Sequence, residues 1–118
     1  MDGEQLRRSI LENRFVERIR HRVIDEDEYA KLVEALTKLA TLWSDAKLID
    51  KRLAAELHVI SVVTRGIGEG LEARHPERAR RVYELWAVLE DLVLKCYSTE
   101  RPYPPFKPDG IVDVEEQP

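Results

Sequence analysis

Tyr29-Ala30-Lys31-Leu32-Val33-Glu34-Ala35-Leu36-Thr37-Lys38-Leu39-Ala40-Thr41-Leu42-Trp43 is the stretch that decides the fold. Tyr29, Leu32, Val33, Leu36, Leu39, Ala40 and Trp43 recur at three- and four-residue steps, the period that aligns side chains on one face of an α-helix. Lys31, Glu34, Lys38 and Asp45 face away. Just upstream, Asp25 followed three residues later by Glu28 is a capping-box-like start, and acids here favour the positive end of the helix dipole.

The same period continues outward on both sides. Downstream, Ser44, Asp45 or Asp50 suits an N-cap, after which Leu53, Leu57, Ile60, Val63 and Ile67 form one line widened by Val59 and Val62. Pro76 fits the first position of a further helix. That helix carries Val82, Tyr83, Leu85, Trp86, Val88, Leu89, Leu92, Val93 and Cys96, apolar over more than half its circumference. A helix so widely apolar in so small a domain is central in a bundle or half-buried in a partner, so Leu85, Trp86, Val88, Leu89, Glu90 and Leu92 are candidate self-association residues. Upstream, Gln5 to Ile24 reads as one helix with Leu6, Phe15, Val16, Ile19, Val23 and Ile24 on a broad face. Arg7, Arg14, Arg18, His21 and Arg22 fall opposite and are candidate partner-binding residues.

The fold class expected is therefore all-α, a compact bundle of about four amphipathic helices over residues 1–100, followed by a proline-rich, acidic tail over 101–118. Pro102, Pro104, Pro105 and Pro108 cannot continue a helix, and Asp109, Asp113, Glu115 and Glu116 follow without a compensating base. Tyr103, Phe106, Ile111, Val112 and Val114 would let the tail dock as a strap; otherwise it is loose. Pro102 to Lys107 also fits a short polyproline-ligand pattern, which a linker explains equally well.

Composition narrows function mainly by exclusion. A chain of 118 residues with 43% hydrophobic and 36% charged residues is a single globular domain rather than a disordered one. The formal charge of −4 supplies no bulk positive field toward nucleic acid or anionic lipid. Cys96 is the one cysteine, which removes an internal disulfide and a cysteine-based zinc site. No run is long and apolar enough to span a membrane and the start is no signal peptide, so a cytoplasmic location is the expectation.

The constellations that could carry chemistry are weak. Gly66-x-Gly68-x-Gly70 lacks a preceding strand and the Gly-Lys-Ser/Thr of a phosphate loop; Gly66 suits a helix cap, or Gly66, Gly70 and Ala73 form a ridge allowing close helix approach. Glu56 and Glu90 sit among apolar neighbours and could form an acid–base or metal pair, yet the one Glu-x-x-His, Glu72 to His75, lies off the apolar face. Arg14 with His21 and Arg52 with His58 resemble, over these few residues, the arginine–spacer–histidine signature of the HEPN helical ribonucleases. Arg52 and His58 point to different sides of their helix, and Arg14 and His21 share the exposed basic face, so no nuclease site is assigned. No catalytic residue, cofactor or metal is implied.

The expectation is a non-catalytic interaction or assembly module, self-associating as a homodimer and binding another protein. The alternative is a nucleic-acid-associated protein using the arginine stripe, reinforced if Arg74, Arg78, Arg80 and Arg81 lie alongside.

Overall fold

A computed structural model describes residues 2–98, and all of the regular structure among them is helical. The order is α1 (Gly3–Leu11), α2 (Phe15–Arg20), α3 (Glu26–Trp43), α4 (Lys51–Leu71) and α5 (Pro76–Tyr97). The tail over 101–118, with its strap and polyproline readings, lies outside the described residues.

Local chemistry explains each start. Asp2 caps α1 through a full capping box: its carboxylate accepts from Gln5 N at 2.7 Å, and Gln5 Oε1 accepts from Asp2 N at 2.9 Å. Asp25 caps α3 by accepting from Glu28 N at 3.0 Å. Asp50 caps α4 by accepting from Arg52 N and Leu53 N at 3.0 and 3.1 Å. Pro76 opens α5, where its missing N–H costs nothing.

The helix expected from Gln5 to Ile24 is two helices. Asn13 breaks it: its side-chain oxygen accepts from Phe15 N at 2.9 Å, while its amide donates to Glu28 O at 3.0 Å. An Asx side chain that satisfies the backbone locally competes with helix continuation. Glu28 completes the junction by leaving its own cap and accepting from Arg14 N at 3.2 Å.

A second departure ends α2. Val23 N donates to Arg18 O at 3.0 Å and Arg22 N donates to Ile19 O at 2.9 Å. That bond pair is a Schellman cap, and it places Arg22 in the left-handed region at φ 66°. Glycine is the usual occupant there.

Five segments fill four corners of a bundle. Around the ring lie α1 with α2, then α3, then α5, then α4; α3 and α4 sit across the diagonal. Glu26 meets Arg81 and Leu36 meets Cys96, so α3 and α5 run parallel. Ser61 meets Glu90 and Ala54 meets Tyr97, so α4 and α5 run antiparallel. The link 44–50 therefore crosses one end of the bundle from corner to corner.

Leu6 and Ile10 from α1, Phe15, Val16 and Ile19 from α2, and Leu32, Leu36 and Leu39 from α3 meet Leu57, Ile60, Val82, Leu85 and Leu89 in one buried core. Such a core stabilises by removing apolar surface from water, at about 25 cal/mol per Å². Val23, expected on the inner face of a single helix, is exposed because the chain has turned before it.

The glycine run lies within α4 and forms no loop, which removes the phosphate-loop and Gly66-cap readings together. The close approach also belongs to a different glycine. A Cβ on Gly68 would stand 2.8 Å from the Tyr83 ring, whereas Gly66 and Gly70 face open space. Among the described residues, no helix is long and apolar enough to cross a membrane.

Candidate interaction surfaces

The expected arginine stripe is divided between two helices, and Arg7 and Arg18 are paired with carboxylates within the chain. Arg7 Nε lies 2.5 Å from Asp50 Oδ2, tying α1 to the start of α4. Arg18 pairs with Asp25, whose carboxyl is held below its ordinary range first by the Glu28 N–H and then by Arg18. Arg14, the N-cap of α2, lies 3.8 Å from Glu17, and His21 is the C-cap of the same short helix. Arg22 donates to Arg20 O at 2.9 Å. One continuous phosphate-following face is therefore absent, because Asn13 turns the chain between Arg7 and Arg14. Arg81 is likewise occupied by Glu26 at 2.6 and 2.9 Å.

The candidate self-association residues separate into three groups. Leu85, Leu89 and Leu92 are buried in the chain's own core, between α3 and α4, and offer nothing to a partner. The wide apolar face of α5 is thus covered by two neighbouring helices, which sequence periodicity does not identify. Val88 remains exposed on the outer side. Trp86 and Glu90 are half-buried in the α4–α5 seam, where Ser61 donates to Glu90 and Trp86 Nε1 lies 3.4 Å from Ser61 Oγ. The Arg65 guanidinium stands 5.3 Å from the Trp86 ring centroid, in cation–π range. Glu90 is therefore a positioned seam residue. Glu56 is half-buried on α4, and no bond joins it to Glu90.

Periodicity did not reveal the apolar end of the bundle. Here α3 finishes, the diagonal link passes and α5 finishes, with Tyr97 tilted 6.3 Å from Trp43 and its hydroxyl donating to Ala54 O at 3.0 Å. Leu48 is 91% exposed, Leu94 57% and Leu42 53%, and Ile49 and Tyr97 add further exposed apolar area. The sequence signal is the apolar pair Leu48-Ile49 just before the Asp50 cap, in a link where polar residues are usual.

Cys96 is buried against Leu36 O, and burial pushes its thiol up to about 11, so almost no thiolate forms near neutral pH. Among the described residues, no three His, Cys, Asp or Glu side chains gather as a metal-binding group. Arg14, His21, Arg52 and His58 are all exposed. No family model, curated protein or solved structure matches this chain.

Proposed function

We propose that this chain is a non-catalytic interaction and assembly module that self-associates through the apolar end of its bundle. The observation carrying this reading is the exposure of Leu42, Leu48, Ile49, Leu94 and Tyr97 where α3, the 44–50 link and α5 end together. Leu48 and Ile49 are neighbours in the chain, and exposed apolar residues that lie together mark interaction sites more often than singly scattered ones do. A second copy of the chain is the occupant proposed, because a two-fold contact lets one apolar patch cover its own counterpart.

Sedimentation of the full chain against Leu48→Glu and Leu94→Glu tests the reading. The unmodified chain is expected to dimerise with rising concentration, and each variant to shift toward monomer. The alternative role in nucleic-acid binding has less support, since Arg7, Arg18 and Arg81 already hold carboxylates. Binding that falls steeply with salt and is lost in Arg14→Glu/Arg22→Glu would restore it.

A further inference from the structure

At the opposite end of the bundle, residues of α2, α4 and α5 line a half-open crevice of about 230 Å³. Its walls are Ile19, Ile24, Ile67, Leu71 and Val82, and its remaining lining residues are Arg22 and Arg78. No carboxylate lines it. The crevice between α1 and α3, by contrast, contains Glu28 with Lys31 and Glu34 with Lys38, charges that already compensate one another.

Neither arginine of this crevice is held by a carboxylate among the described residues. Arg78 makes no ion pair among the described residues, and Arg22 bonds only a backbone carbonyl. Two exposed guanidiniums give this small apolar crevice a positive rim. Arg22 also occupies the left-handed position where a side chain is disfavoured and glycine would sit without strain. The backbone geometry of that cap does not need arginine, so the cap alone does not account for the side chain.

We propose that this crevice binds a small aliphatic carboxylate, with the alkyl body against Ile19, Ile67 and Val82 and the carboxylate between Arg22 and Arg78. The guanidinium fork matches a carboxylate through paired N–H donors, and the apolar walls reward an alkyl chain. The volume lies below the roughly 300–1,000 Å³ of sites for drug-sized ligands, which sets the ligand at a short chain. An extended peptide is a poorer fit, because three converging helices present no strand edge for main-chain pairing.

The test is an NMR titration of the full chain with sodium hexanoate, followed at the Ile19, Ile24, Ile67, Leu71 and Val82 methyl groups. Saturable shifts confined to these methyls are expected, with hexan-1-ol and hexylamine much weaker. Arg78→Glu and Arg22→Gly are each expected to weaken hexanoate binding at least tenfold, the scale of losing a charge-assisted hydrogen bond. Arg22→Gly is compatible with its backbone position, so its loss of binding would not reflect unfolding. Arg80→Glu, outside the crevice, is expected to bind as the unmodified chain does.

Absence of saturable shifts overturns the proposal. Equal binding of hexan-1-ol also overturns it, as does equal weakening by Arg80→Glu, which would mean bulk electrostatics alone. An acetylated Ile111–Glu116 peptide provides the final arm, since that sequence carries aliphatic and acidic groups together. If the peptide shifts these methyls and hexanoate does not, the crevice serves the chain's own sequence and the free-carboxylate proposal fails.

Discussion

Arg7 and Asp50, forty-three positions apart, meet Nε to Oδ2 at 2.5 Å, joining α1 to the cap of α4. One carboxylate thus performs two tasks: its other oxygen accepts the Arg52 and Leu53 N–H groups. The Leu53 N–H first, then Arg7, holds the Asp50 carboxyl below its ordinary value. A lowered folded-state value means that the stabilisation is fully present above the unfolded value of 3.8 and is lost as pH falls through the lowered one. Asp50→Asn keeps a capping oxygen but loses the charge, and Asp50→Ala loses both. Urea midpoints at pH 7 are expected to fall in the order unmodified, Asn, Ala, with the first gap closing in acid. Equal midpoints for Ala and the unmodified chain at pH 7 would contradict the cap.

Arg22→Gly is expected to raise stability. A side chain in the left-handed region costs about 1–2 kcal/mol, and glycine returns about 0.4–1 kcal/mol of that through its more flexible unfolded state. The expected net gain is about 0.5–1 kcal/mol, measured by urea denaturation. A loss of stability would mean that the Arg22 side chain contributes more to folding than its contacts indicate.

Position along α5 determines cost. Leu89 is fully buried, so Leu89→Ala is expected to cost about 2–5 kcal/mol, the range for emptied core leucine sites. Val88, one residue away and 43% exposed, is expected to tolerate alanine within about 0.5 kcal/mol. Equal costs at the two positions would place α5 in a different rotation.

Gly68 and Tyr83 give a spectroscopic test of the α4–α5 seam. The Tyr83 hydroxyl donates to Glu72, and that bond, followed by burial and the Glu72 charge, pushes its phenol up to about 12 from 10.0. A Cβ at position 68 displaces the ring, so Gly68→Ala is expected to bring the phenol back toward its ordinary value in an ultraviolet titration. An unchanged titration would contradict this contact.

Much of the architecture was legible in the sequence because the signals are local. The Asp25 cap, the Pro76 start and the α3 stripe each need only a few neighbouring residues, whereas local sequence leaves Ser44, Asp45 and Asp50 as equal N-cap candidates of which the fold uses Asp50. The Asp2–Gln5 capping box is a signal of the same local kind. Asn13 was harder, since its effect depends on Glu28, fifteen residues away, accepting its other hydrogen bond. Spacing shows that the apolar face of α5 is wide, yet it cannot say whether α3 and α4 or a partner covers it. The arginines illustrate the same limit. Their positive charge is visible in sequence, whereas Asp50 beside Arg7 and Asp25 beside Arg18 become neighbours only through the fold.

The most direct test of the central claim is the molar mass of the full chain by light scattering across a concentration series, at low and high salt. A dimer that forms with concentration, resists salt and reverts to monomer in Leu48→Glu/Leu94→Glu is the expected result. A monomer at every concentration, or a dimer indifferent to those substitutions, would contradict self-association through the apolar end.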